Sequence, residues 1–423
     1  MARRVRTALA SPSVERQRST SGGTAGRAAA AHRGSPPGLH GGCASGRADD
    51  YRPPRADAWD LDVRTLAVSG MTGAHDAGAR GKTTTTTGAP DDMDATLDGG
   101  TLVDAVARAM ALLAATRSPG VDGGDPWPEA GRKVLRLHFA RMLVRVPGAM
   151  AGEDPEELHA MRVASRRMRA AWRVFGNGFE SDATLRYRAD LRAVGGLLGA
   201  VRDLDVLLDI VDGSAERHGA RAKRGLLPLR AGWMAERDAR RTALVHHLSS
   251  PAFLSFVGEH EAFLGAAEGD LGSVERPRRG RVRGRMPATA WSEYERVWAF
   301  DERVAGADLA TLHELRIAGK WLRYTLEFVR EALVADAAPL IDPVVALQDH
   351  LGDQHDLHVA ATLARDFIAT HPELSAKETT ELEGLVRRLD ARVDWHGARL
   401  LRSWLPLVSP GYRSRLGRAL ARL

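Results

Sequence analysis

The residues best placed to do chemistry are cations on two related helices. HAMRVASRRMRAAWRVF, His159 to Phe175, carries His159, Arg162, Arg166, Arg169 and Arg173. At 100° per residue these five fall within an arc of about 80°, and Met161, Ala164, Met168, Ala171, Trp172 and Phe175 fall nearly opposite. The same pattern returns at HELRIAGKWLRYTLEFV, where His313, Arg316, Lys320 and Arg323 repeat His159, Arg162, Arg166 and Arg169 at a displacement of 154. Like charges four residues apart destabilise an isolated helix by a few tenths of a kcal/mol per pair. A stripe with so few interleaved acids, Glu327 being the exception, therefore needs a counter-charge. Two sources are open: the protein's own Asp203, Asp205, Asp353 and Asp356, or an extended anion. Arginine suits the second, because its five-donor fork pairs bidentately with phosphate oxygens. A combined arrangement, in which Asp203 and Asp356 brace the arginines while the forks face a ligand, satisfies both. Tyr324 lies near the basic arc, where its hydroxyl could reach a ligand.

A second repeated pair follows each basic helix: LGAVRDLDV (198–206) and LGDQHDLHV (351–359), displaced by 153. A weaker echo links SSPAFLSF (249–256) with VSPGYRSR (408–415). Two related halves are the simplest account. Helical periodicity runs almost unbroken from about residue 95 to Leu423, without alternating strand patterns or hairpin turns. The expected fold is all-α, with two pseudo-symmetric four-helix halves at about 125–274 and 290–423, joined by an Arg/Gly/Pro-rich linker, ERPRRGRVRGRMPAT (275–289). Asp154, Pro155 and Glu157 predict a helix start with a capping box. Trp172, Phe175, Trp321 and Phe328 are expected in the core, and the pair His246–His247 at the surface.

Residues 1–94 are low in large apolar residues and rich in Gly, Ser, Pro and Arg, which predicts a disordered basic tail. The chain has 423 residues, a net charge of +6 and 44% hydrophobic residues. That is ample for a large core, and its basic balance permits an anionic partner. The single cysteine, Cys43, excludes an intrachain disulfide and a Cys-based zinc site. No apolar run approaches the roughly 20 residues needed to span a bilayer. A cytoplasmic protein without a membrane partner is expected.

The two basic helices with their following LGAVRDLDVLL and LQDHLGDQHDLHVA segments resemble the paired signatures of the CHAD domain, the conserved-histidine α-helical domain. The resemblance covers roughly 125–423. It implies one CHAD-like domain that binds inorganic polyphosphate in a basic groove or pore, and some members sit on polyphosphate granules; non-catalytic binding is the leading expectation. By position, it implies that the ligand-facing residues are His159, Arg162, Arg166, Arg169, His313, Arg316, Lys320 and Arg323, with Arg173 and Arg202 as additions and Lys133 and Arg136 as outlying ones. Two departures stand out: Arg202 and Asp205 of the first half become His355 and His358 in the second, which predicts weaker or more pH-sensitive binding there. Family members often carry an N-terminal triphosphate-tunnel domain with an ExExK strand motif; none occurs here.

No catalytic residue, metal site or cofactor is expected. A His beside arginines is a poor cation ligand, and His355-x-x-His358 lacks a further ligand set. Nucleophile-elbow, Walker and HExxH motifs are absent. Two other functions stay open: a metal-dependent polyphosphate or triphosphate hydrolase, which would need a carboxylate cluster, and a nucleic-acid module, which would want aromatic stacking platforms among the cations. Nucleic acid is otherwise expected only as a non-specific partner.

Overall fold

The computed structural model describes residues 99–179, 181–265 and 280–423. The expected tail, 1–94, and the first part of the expected linker lie outside the described residues. The described chain is helical: α1 Gly99–Ala115, α2 Trp127–Leu143, α3 Val146–Ala151, α4 Pro155–Phe175, α5 Ser181–Gly225, α6 Leu227–Leu248 and α7 Pro251–Gly265, then α8 Val282–Trp298, α9 Leu309–Glu327, α10 Arg330–Leu333, α11 Ala337–Thr370, α12 Ala376–Gly397, α13 Leu400–Trp404 and α14 Pro410–Leu420. No strand occurs among the described residues. Helix α5 is broken near its end at Gly219, whose φ of 78° lies in the left-handed region that favours glycine.

The order α2–α4–α5–α6–α7 recurs as α8–α9–α11–α12–α14, and the sequence repeat explains why. Asp154 and Asp308, one repeat apart, are the N-caps of the two basic helices; their side chains accept from the backbone N–H of Glu156 and Thr311 at 2.9 and 2.8 Å. The faint SP echo is a second matched pair of caps. Ser250 Oγ accepts from Phe253 N and Ser409 Oγ from Tyr412 N, and both aromatic rings are buried. The entries to α2 and α8 are bridged reciprocally, Trp127 N donating to Gly280 O at 2.8 Å and Val282 N to Asp125 O at 3.0 Å. Such an exchange is what a pseudo-twofold axis between the halves produces.

Two details differ from expectation. Helix α8 begins at Val282, inside the stretch read as a linker. Val282, Met286 and Ala290 are fully buried at i, i+4 and i+8. Burying Val and Met side chains gains about 1.5–3 kcal/mol each, enough to offset the roughly 3 kcal/mol cost of Pro287 inside the helix. At α4 the capping box does not form. The Glu157 carboxylate instead accepts from Arg145 Nη1 at 2.6 Å, the guanidinium outcompeting a backbone N–H.

Both cores draw on both halves. The larger runs through α2, α4, α8 and α9 around Trp127, Trp172, Phe175, Phe328 and Trp404. The second lies between the outer ends of the α5–α6 and α11–α12 hairpins, around Leu207, Val211, Leu229, Val359, Leu382 and Leu385. No helix among the described residues is long and apolar enough to cross a membrane.

In the larger core, the buried polar side chain of His260 costs stability. His260 is 0% exposed, ringed by Phe139, Trp172, Tyr187, Phe256 and Phe263, and neither ring nitrogen has a hydrogen-bond partner among the described residues. Burial pushes its pKa down to about 3. The folded state therefore keeps this ring neutral while the unfolded chain protonates it, and stability is lost as pH falls from about 6.5 towards the folded value. His260→Phe is expected to raise Tm and to make its decline shallower over that window. Thermal melts across the pH range decide it, and an unchanged acid slope would show that the ring titrates elsewhere.

Candidate functional site

Helices α4 and α9 meet along their basic faces, with α5 packed on α4 and α11 on α9. This packing sorts the sequence's uniform stripe into two classes. Arg162, Arg166, Arg316 and Arg323 are buried; His159, His313 and Lys320 are half-buried; Arg169 and Arg173 are exposed. A guanidinium removed from water costs several kcal/mol unless its donors are met, and the structure supplies acceptors for Arg162, Arg166 and Arg323.

Arg162 Nη2 donates to Asp203 Oδ1 at 3.1 Å, both side chains about 6% exposed. Gly199, one turn before Asp203 on α5, makes room for this: a Cβ there would overlap Arg162 Nη1. Arg166 Nε donates to the Tyr324 hydroxyl at 2.7 Å, tying α4 to α9. Tyr324, whose hydroxyl the sequence offered to a ligand, is thus 3% exposed and spent on an arginine. Glu327 is a second tie between the helices, accepting from Arg323 Nε at 2.7 Å and pairing with Arg167 at 3.3 Å. Arg173 lies over the Trp321 ring, 4.1 Å from its centroid, and reaches Glu293 on α8 at 3.4 Å. Trp321 is accordingly half-buried and holds a cation, whereas Trp172, Phe175 and Phe328 fill the core.

The two repeats converge on a buried carboxyl. Asp356, on α11, is 2% exposed, and neither of its oxygens has a hydrogen-bond partner among the described residues. Burial raises its pKa well above the ordinary value; Asp203 and Asp353 add to this, and Arg316 and Arg162 oppose it. One carboxyl therefore senses arginines from both basic helices and the matching aspartate of the other half. Arg316 is further positioned through its carbonyl, which accepts from Gln348 Nε2 at 2.8 Å; Gly319 leaves space for that amide.

The motif positions that differ between halves behave differently. Arg202 sits 4.0 Å from Asp205, which also takes Arg237 of α6. In the second half His355 places its ring 5.1 Å from that of His313. His358 is held below its ordinary pKa by burial and by Arg365, against Asp390. Among the described residues no group of three or more His, Cys, Asp or Glu gathers as a metal site.

The α2 cations point elsewhere. Lys133 Nζ binds the Asp125 carboxylate at 2.8 Å and the Gly120 carbonyl at 3.1 Å; Arg136 Nη2 binds the Leu264 carbonyl at 2.7 Å. Sequence reasoning did not single out Gly199, Gln348, Glu293 or Arg167. Gly199 had a signal, because it stands in the repeated LG pair four residues before the bracing aspartate. Nothing in the sequence marks Glu293 or Gln348.

The geometry makes Asp356 the proton-linked member of the cluster. Its folded pKa is raised, so the folded state takes up a proton before the unfolded chain does. That contributes stability at low pH which is lost as pH rises through the folded value. Asp356→Asn fixes the neutral form, and the difference in Tm between wild type and variant is expected to grow in the variant's favour as pH rises above the ordinary carboxylate value of about 4. Paired melts at several pH values measure it, and a pH-independent difference would show that Asp356 titrates as an ordinary carboxyl.

No curated protein matches the chain. The chain is similar to the crystal structure of the CHAD domain from the plant Ricinus communis, at 25% identity and a TM-score of 0.54, over 66% of this chain and 93% of that one. It is also similar to PptA from Streptomyces chartreusis, at 16% identity and a TM-score of 0.52, over 66% of this chain and 99% of the other, a likeness of fold alone. The family model for the CHAD domain matches residues 133–365, more than half of the chain and both basic helices with their following motifs, and the chain belongs to the CHAD domain family.

Proposed function

We propose that the chain binds inorganic polyphosphate without turning it over, along the cations of α4 and α9, and that polyphosphate granules are its cellular setting. The observation that carries this reading is the bracing of the buried arginines from the protein side: Asp203 behind Arg162, Tyr324 behind Arg166 and Glu327 behind Arg323. Guanidinium groups held this way are pre-organised, so less rotamer entropy is lost when a phosphate is taken. Arg316, His159, Arg169, Arg173, His313, Lys320 and Arg202 complete the proposed contact set. Lys133 and Arg136, each bound to its own loop or carbonyl, are assigned support of α2. A chain of repeating phosphates fits a strip of cations that runs along two helices better than a single compact anion does.

The test uses the half-buried and exposed cations. Arg166→Glu would bury an acid against Tyr324 and confuse folding with binding. Arg169→Glu with Lys320→Glu is expected to preserve the helical circular dichroism spectrum and to weaken long-chain polyphosphate binding at least about tenfold. The slope of log K against log salt should fall by about 1.4, the single-strand value for two lost phosphate contacts. Retention of wild-type affinity by the folded double variant would sink the site. Displacement of polyphosphate by DNA at equal phosphate concentration would favour a general polyanion site instead.

A further inference from the structure

A second group of arginines lies outside the α4–α9 cations, where α5 packs against α12. Arg217 is on the outer part of α5; Arg388 and Arg392 are one turn apart on α12, about 6 Å along its axis. Arg217 and Arg392 are exposed and Arg388 half-buried. Arg388 lies back over Gly384, its Nη1 3.1 Å from where a Cβ would stand, and Arg217 lies back over Gly213 in the same way at 3.2 Å. Neither Nε nor Nη2 of Arg388 has a hydrogen-bond partner among the described residues. Its guanidinium is held below the ordinary pKa by burial, and Arg387 and Arg217 act in the same direction against Glu381. Arg392 is lowered by burial and by Arg217, against Asp353.

The acids within reach do not balance this charge. Glu381 is already paired with Arg221, and Glu383 lies 3.9 Å from Arg387. Asp353 is a single exposed carboxylate facing Arg392. Asp353 also fixes where the group sits. It belongs to the same motif as His355, whose ring meets His313, and as Asp356, which senses Arg316. One motif thus separates the α9 cations from the α12 cations. The α11–α12 contact is ordered at this level, with Gln354 Nε2 donating to Val393 O and His350 Nε2 lying 2.9 Å from His396 O.

We propose that Arg217, Arg388 and Arg392 form an oxyanion site at the junction of α5 and α12, which takes phosphate groups of a polyphosphate chain that has run past the α4–α9 cations. This rests on the reading of α4 and α9 as the primary site and extends it to chain length: a short oligophosphate occupies the primary cations only, and a long one engages both groups.

The experiment compares tripolyphosphate with polyphosphate of about 100 phosphates on the full chain, by titration at several salt concentrations. Arg217→Gln/Arg388→Gln/Arg392→Gln is expected to leave tripolyphosphate affinity within about twofold, to weaken long-chain binding about fivefold or more, and to lower the salt slope by about 2, the value for three lost contacts on a single strand. Arg217→Gln/Arg392→Gln, confined to exposed side chains, guards against a folding effect of Arg388 and should show about two-thirds of that slope change. Long-chain affinity and slope equal to wild type in both variants would overturn the proposal, as would an equal loss for both ligands. The Arg169→Glu/Lys320→Glu variant separates the two ideas. Loss of both ligands there supports the primary site, whereas its normal binding beside a long-chain defect in the α5–α12 variants would remove the primary site and leave this one standing. A wild-type chain that bound neither ligand would end both.

Discussion

The structure depends on keeping guanidinium groups of one sign buried at the seam between two halves. Arg162 with Asp203, and Arg323 with Glu327, set that seam, because an arginine taken out of water without a partner costs several kcal/mol. Hydrophobic packing alone would hold α2, α4, α8 and α9 together but would not choose the rotation of α4 and α9 about their own axes. The paired charges choose it: only one rotation presents Arg162 to Asp203, Arg166 to Tyr324 and Arg323 to Glu327 while Trp172, Phe175 and Phe328 remain in the core. Removing one member of such a buried pair typically costs about 3–5 kcal/mol, more than a surface ion pair contributes.

The pseudo-symmetry is close in backbone and loose in chemistry. Caps, helix order and the reciprocal bridge at Trp127 and Val282 repeat faithfully. The charges do not. The first half closes Arg202, Asp205 and Arg237 into a fixed ion group, while the second puts His355 against His313 and leaves Asp356 without a hydrogen-bonded partner among the described residues. The first half thus carries a closed ion group, and the second carries histidines and a buried carboxyl of raised pKa at the matching motif positions. Under the proposed function the two halves would grip a phosphate chain unequally.

Much of the fold was legible in the sequence, and the reason is local. Helical period, the Asp154 start, the repeated LG motifs and the faint SP echo are each set by neighbours within a few residues, so spacing alone reveals them. The start of α8 was misread because Arg, Gly and Pro masked the row of Val282, Met286 and Ala290, whose burial only becomes worthwhile once α2 lies beside it. The capping box at α4 failed for a similar reason, since Arg145 reached Glu157 from outside the local window.

For the candidate site, the sequence by itself determined which residues carry charge, that they share one face on each of two helices, and that Asp203 and Asp356 accompany them. Only the tertiary structure decided how much of that charge meets water. Burial depends on what packs over a face, and α5 and α11, the long helices that follow α4 and α9, fold back to cover Arg162, Arg166, Arg316 and Arg323 while leaving Arg169 and Arg173 exposed. It likewise decided that Tyr324 serves an arginine, that Trp321 carries Arg173, and that Arg217 on one half stands beside Arg388 and Arg392 on the other. Such contacts join residues more than a hundred positions apart, and no periodicity records them.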